Sequence, residues 1–211
     1  MRQFRYFITM YGMIGDVPGD VVECGLGEGN TFAMLAYLIG SEDRQPLRKL
    51  WGFDSFEGWP EPTPYDASPR NPTKGEWRVS QRMVELRLKE SKVLDEFPEL
   101  EIETQKGFLS ETLPDFSHHF SRRQIAFLHL DVDLYAGYRD GLQYLFPHVV
   151  PGGILLFDEY KEFPNTEEYG WGRIEKWPGC TKAVDDYFKE HPGQTIQYWP
   201  EIKKYFLIKM V

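Results

Sequence analysis

Apolar residues along the chain fall into two patterns. Short, nearly unbroken runs read as strands covered on both faces: Val21-Val22-Glu23-Cys24, Leu50-Trp51-Gly52-Phe53-Asp54, Ala126-Phe127-Leu128-His129-Leu130-Asp131 and Ile154-Leu155-Leu156-Phe157-Asp158. Between them, apolar side chains recur at helical spacing. Phe32, Leu35, Leu38 and Ile39 mark a helix over Thr31 to Ile39, and Leu142, Leu145 and Phe146 mark one over Arg139 to Phe146, stopped by Pro147. The stretch before Val21 reads as a packing helix, because its apolar patch is too short and too interrupted for a leader peptide. A further helix is expected from Ser80 to Phe97, then a weaker strand through Leu100, Ile102 and Thr104. Thr181 is placed to cap a helix carrying Ala183, Val184, Tyr187 and Phe188, which His191-Pro192-Gly193 ends. The tail predicts a hairpin, Thr195 to Trp199 and Tyr205 to Met210. This alternation predicts an α/β domain: one mostly parallel, doubly wound sheet with helices on both sides and a C-terminal antiparallel hairpin.

Length and charge narrow the picture. A chain of 211 residues fits a single domain over 1–211. Two segments, 57–79 and 160–180, follow strands that end in an acid and are long enough to act as lids over a ligand at the sheet's carboxyl edge, with plain surface excursions as the alternative. Lys+Arg 24 against Asp+Glu 33 leaves a net charge of −9 with no basic cluster, which argues against nucleic acid as a partner. No apolar run approaches the roughly 20 residues needed to cross a bilayer, so no membrane association is expected. Cys24 and Cys180 cannot build a disulfide framework and read as buried thiols, in keeping with a reducing cytoplasm.

Three groups of residues carry candidate chemistry. In Glu23-Cys24-Gly25-Leu26-Gly27-Glu28-Gly29-Asn30-Thr31, a strand turns tightly into a helix, where backbone amides can approach a ligand. Asp54 closes the adjacent strand, and its carboxylate is suited to a ribose diol, with a capping or solvated role as the alternative. Asp131, Asp133, Asp158 and Glu159 gather at the ends of two other strands. If the first of these strands continues through Asp133, then Asp131 and Asp133 point to one face. Like charges about 4 Å apart repel by about 4 kcal/mol at an effective dielectric of about 20, so such a cluster calls for a cation, a shared proton or solvent. Oxygen ligands favour Mg²⁺, with Mn²⁺ or Ca²⁺ as substitutes. His129, inside an apolar strand, reads as a core histidine making one hydrogen bond. His118 and His119 are assigned no chemistry; Cys180, Trp171 and Trp177 read as packing residues, with an aromatic lid that excludes water from a reacting group as the alternative for the tryptophans.

The G-x-G-x-G after an acid looks like the first motif of class I S-adenosylmethionine methyltransferases; a dinucleotide fingerprint would have its third glycine one position later. Taken with further blocks, the chain resembles the macrocin O-methyltransferase family of metal-dependent sugar O-methyltransferases. These blocks are Pro18 to Gly25, Asp54-Ser55-Phe56-Glu57-Gly58, Gly107-Phe108 with Glu111 to Pro114, Asp131 to Tyr135, Pro151-Gly152-Gly153, Asp158-Glu159-Tyr160 and Ala183 to Tyr187. The resemblance implies a single Rossmann-like class I methyltransferase domain. It implies S-adenosylmethionine bound by Glu23, Gly25, Leu26, Gly27, Asn30, Thr31 and Asp54, with Ser55, Phe56, Gly107 and Phe108 as neighbours. It further implies Mg²⁺ on Asp131, Asp158 and Glu159, Asp133 as general base, and a small-molecule acceptor, a sugar-containing natural product. Two departures stand out. Glu159 replaces the family's second aspartate, and the family's N-terminal region is longer than the stretch before Val21 here; homo-oligomeric contacts stay open. The competing readings are a methyltransferase acting on a catechol-like diol, a non-catalytic cofactor- or metal-binding protein, and a nucleotide-dependent oxidoreductase, which the early third glycine disfavours.

Overall fold

The computed structural model describes residues 2–43, 47–119, 123–163 and 174–211. In chain order the elements are α1 (Arg2–Ile14), β1 (Asp20–Cys24), α2 (Asn30–Gly40), β2 (Leu50–Asp54), α3 (Gln81–Ser91), α4 (Val93–Glu96), β3 (Ile102–Lys106) and α5 (Leu109–His119). They continue with β4 (Ile125–Leu130), α6 (Tyr135–Tyr144), β5 (Val149–Phe157), α7 (Pro178–Glu190), β6 (Ile196–Trp199) and β7 (Lys204–Ile208).

The strands form one seven-stranded sheet in the order β3-β2-β1-β4-β5-β7-β6. β1 to β5 run parallel, and β7 joins antiparallel to β5 with β6 outside it. The mostly parallel sheet and its terminal hairpin match the arrangement expected from the pattern. Side chains alternate between two cores. Val22, Cys24, Leu128, Leu130 and Leu155 face α5, α6 and α7, whereas Val21, Phe127, Ile154 and Leu156 face α1 and α2. The α1 helix earns its place through Tyr6, Phe7, Met10, Tyr11 and Ile14, one apolar stripe pressed onto the sheet. Arg48 is 3% exposed and donates to the carbonyls of Gly15, Val17 and Gly19 and to Glu42, which fixes the turn from α1 into β1. Both cysteines are free and buried, and among the described residues no helix is long and apolar enough to cross a membrane.

Three local expectations are corrected. The helix over Ser80 to Phe97 breaks at Lys92, whose φ of 59° is left-handed and separates α3 from α4. Thr181 lies inside α7, which starts at Pro178; its hydroxyl hydrogen-bonds Glu175 and accepts from the Lys161 amide. Strand β4 stops at Leu130, and Asp133 has φ 56°, so no β-pleat aligns Asp131 with Asp133. Trp171 lies outside the described residues.

Candidate active site

The strand order reverses between β1 and β4, where two crossovers leave in opposite directions and a crevice opens at the carboxyl ends. Backbone pairing runs one residue past the strands: the Gly25 amide donates to Phe53 O at 2.8 Å, Asp131 to Cys24 O at 2.9 Å and Asp158 to Leu130 O at 3.0 Å. These bonds bring the glycine loop and both acid pairs to one rim. Gly25 has φ 85°, and a Cβ built on it would lie 1.7 Å from the Asp131 carbonyl oxygen, so only glycine fits. Gly29, with φ 80°, leads into α2 and leaves that helix's first amides facing the crevice.

Asp54 braces this loop. Its Oδ2 accepts from the amides of Leu26 (2.8 Å) and Gly27 (3.3 Å), and Oδ1 accepts from Phe56 (2.7 Å). Glu23 is 1% exposed; Oε1 lies 3.0 Å from His129 Nδ1, while Oε2 is buried with no hydrogen-bond partner among the described residues. A cavity of about 490 Å³ spreads from this loop to the acids. Glu23, Gly25, Leu26, Gly27, Asn30 and Thr31 line one end, together with Asp54, Ser55 and Phe108. Phe56 and Gly107 stand behind that wall: Phe56 is buried in the core beside α2, and the Gly107 amide donates to Asp54 O at 3.0 Å.

Asp131, Asp133, Asp158 and Glu159 line the other end. Ligand atoms of His129, Asp131 and Asp158 lie within 4.8 Å of one another. Burial first and then the charge of Asp158 push the Asp131 carboxyl up to about 8. Burial also opposes ionisation of Asp158, but Lys204, with Nζ 2.7 Å from Oδ2, acts together with His129 and Glu159 to hold this carboxyl below its ordinary value. Glu159 takes a different course from the other two expected ligands. Its Oε2 accepts from the Tyr138 hydroxyl (2.6 Å) and the Asp133 amide (3.2 Å), and burial followed by the charges of Asp131, Asp133 and Asp158 raises its pKa. His129 is the buried histidine expected from its strand, bonded to Glu23 and edge-on to Phe7 at 4.9 Å, and it also faces the acids. Burial favours its neutral form, yet the hydrogen bond and charge of Glu23, joined by Asp131 and Asp158, raise its pKa.

The segment after β2 covers the acids. Trp59 is 6% exposed and donates from Nε1 to Asp133 Oδ2 at 2.9 Å; that bond tempers the rise that burial imposes on Asp133, whose carboxyl sits at about 6. The Trp59 ring meets Trp177 edge-to-face at 5.4 Å, and the Arg70 guanidinium lies over both. Asp66, 3% exposed, accepts from the Tyr135 amide at 2.8 Å and so caps α6 from within this segment. Sequence reasoning missed the roles of Trp59, Asp66, Tyr138 and Lys204. An acid in a proline-rich loop and a lysine opening a strand carry no local signal of their partners.

The sequence matches the macrocin-O-methyltransferase (TylF) family over residues 1–192. The chain belongs to that family. Among curated relatives of this macrocin O-methyltransferase family member, it is 29% identical over 149 residues to the 8-demethyl-8-(2,3-dimethoxy-alpha-L-rhamnosyl)-tetracenomycin-C 4'-O-methyltransferase of Streptomyces olivaceus, covering 68% of this chain and 54% of that one. It is 27% identical over 182 residues to the mycinamicin III 3''-O-methyltransferase of Micromonospora griseorubida, covering 83% and 62%. The match thus spans less than two thirds of those relatives' length. In fold, it superposes on the calicheamicin methyltransferase CalS11 with a TM-score of 0.81 at 24% identity, over 98% of this chain and 78% of that one. The O-methyltransferase NovP gives 0.76 at 22%, over 100% and 80%. The fold is that of class I methyltransferases.

Proposed function

We propose that this chain is an S-adenosylmethionine- and divalent-metal-dependent O-methyltransferase whose acceptor is a hydroxyl of a small sugar-containing natural product. One observation carries the reading: the glycine loop with Asp54 and the acids with Asp133 line the same cavity, as transfer between a bound donor and a bound hydroxyl requires. The donor end fits S-adenosylmethionine. The loop is open where a Cβ would block it, Asp54 retains acceptor capacity for a diol, and the Glu23 Oε2, unpartnered among the described residues, can accept a hydrogen bond from an ammonium. The acid end fits a hard cation through Asp131 and Asp158, with His129 beside them. The relatives named as a 4'-O-methyltransferase of a rhamnosyl-tetracenomycin and as the mycinamicin III 3''-O-methyltransferase favour this acceptor class over a catechol-like diol.

When bound, the sulfonium supplies an electrophilic methyl, and a divalent ion lowers the pKa of a hydroxyl it holds. The remaining work falls to the chain. Asp133 accepts the acceptor's hydroxyl proton as the oxygen takes the methyl, and the Trp59 N–H holds the carboxylate in place for it. Trp59, Trp177 and Arg70 exclude water above the acids. Asp54 holds the glycine loop so that the donor's position does not depend on the acceptor.

The test is transfer of a labelled methyl from S-adenosylmethionine to a panel of glycosylated natural products lacking one sugar methyl, with and without Mg²⁺ and chelator. We expect transfer to sugar hydroxyls that chelation abolishes. Transfer only to catechols would overturn the acceptor class, and chelator-insensitive transfer would overturn the metal.

A further inference from the structure

Register places a lysine against the acids. Phe157 of β5 pairs antiparallel with Tyr205 of β7, so the next residue along β5, Asp158, lies beside the previous residue of β7, Lys204. The Lys204 ammonium donates to Asp158 Oδ2 at 2.7 Å and also to the Asp158 carbonyl oxygen. The pair is protected: the side chains are 20% and 22% exposed, and both residues line the cavity. Glu159 is tied to Tyr138 and the Asp133 amide and hydrogen-bonds Asp131 and Asp158, while ligand atoms of Asp158, Asp131 and His129 converge. One of two converging carboxylates therefore already holds a positive charge supplied by the chain.

We propose that Lys204 is a built-in counter-cation that competes with a divalent ion for Asp158 and thereby sets the metal affinity of this site. The inference rests on the metal-using reading above. A dication approaching Asp158 meets a like charge and must displace the ammonium from Oδ2. The compensation is that Asp158 is charge-balanced when no ion is bound, so it keeps its place at the rim between turnovers. Lys204 acts through Asp158 and is an affinity-setting residue, not a catalytic one.

The test is equilibrium Mn²⁺ binding to the full chain, followed by electron paramagnetic resonance without acceptor, paired with thermal unfolding. Lys204→Met retains the aliphatic stem and removes the charge. We expect it to bind Mn²⁺ about 10- to 100-fold more tightly than the wild type, the usual scale for changing a ligand's outer partner. Its unfolding temperature without metal should fall, and Mn²⁺ should raise it by more than in the wild type. Lys204→Arg keeps the charge and should bind Mn²⁺ as the wild type does, so it provides a second reading if the methionine variant does not fold; a tenfold gain in Lys204→Arg overturns the proposal. Unchanged or weaker Mn²⁺ binding by folded Lys204→Met, while Asp131→Asn abolishes binding, overturns the counter-cation role alone. Absence of Mn²⁺ binding by every variant at millimolar metal overturns both this role and the metal-dependent reading.

Discussion

The two ends of the cavity satisfy their charges in opposite ways. At the donor end, one carboxylate, Asp54, is surrounded by three backbone amides that the chain positions within a few residues of the strand ends. At the acid end, four carboxylates from two strand ends share one lysine, one tyrosine and one indole, each delivered by a different element, with His129 beside two of them. Backbone donors lock a shape, whereas side-chain donors can be exchanged for a ligand. The donor end is thus a rigid cradle and the acid end an electrostatic balance that a cation or a proton can tip.

Breaking the cradle should have the largest effect. Gly25→Ala would drive a Cβ into the Asp131 carbonyl, and we expect a loss of more than about 4 kcal/mol or failure to fold, read by denaturant unfolding. Next is Asp133→Asn, which should lower turnover about 10²- to 10⁴-fold while leaving S-adenosylmethionine affinity within about twofold by calorimetry. Unchanged turnover would remove Asp133 from proton transfer. Asp54→Ala should weaken cofactor binding roughly 10- to 100-fold by releasing the Leu26 and Gly27 amides, with Mn²⁺ binding unaffected. Equal losses at both ends would show that the two ends are not independent.

The balance at the acid end is testable by pH. With its carboxyl at about 8, Asp131 keeps its proton in the folded chain across a range where the unfolded chain, near the ordinary aspartate value of about 4, has released it. The unfolded state therefore binds fewer protons, and this group makes stability fall as pH rises from about 4 to about 8. The metal-free protein should lose several degrees of unfolding temperature over that window relative to Asp131→Asn, at about 2–4 °C per kcal/mol for a chain of this size. Millimolar Mg²⁺ should flatten the difference, because ion binding favours the ionised carboxylate; parallel profiles with and without the ion would contradict it. The smallest effect is expected from Trp59→Phe, which removes the N–H to Asp133 but keeps an aromatic ring: a roughly tenfold loss in turnover with cofactor affinity unchanged.

Much of the cradle was legible in the sequence because it is local. The glycines after Val21-Val22-Glu23-Cys24 and the acid at the end of the second apolar run carry a turn and its brace in their own order. The helix break at Lys92 was not legible, since its positive φ is imposed where Val93 must reach the core beside α2, and the residue type carries no sign of it. Nor was Thr181, whose hydroxyl is claimed by the Lys161 amide twenty residues away in sequence and not by a helix start. The acids were legible as a group, but their alignment by strand pleat was not, because β4 ends one residue before them.

By itself the sequence determined the alternation of runs and helices, hence the sheet and its two cores, together with the glycine loop and the acids at the strand ends. Each of these depends on periodicity or on neighbours a few residues apart. Only the tertiary structure decided which partner each acid would have: Lys204 for Asp158, Trp59 for Asp133 and Tyr138 for Glu159. Those choices follow from strand order and register, which bring residues far apart in the chain within hydrogen-bond reach. In a buried site the identity of that neighbour, more than the acid itself, fixes its charge.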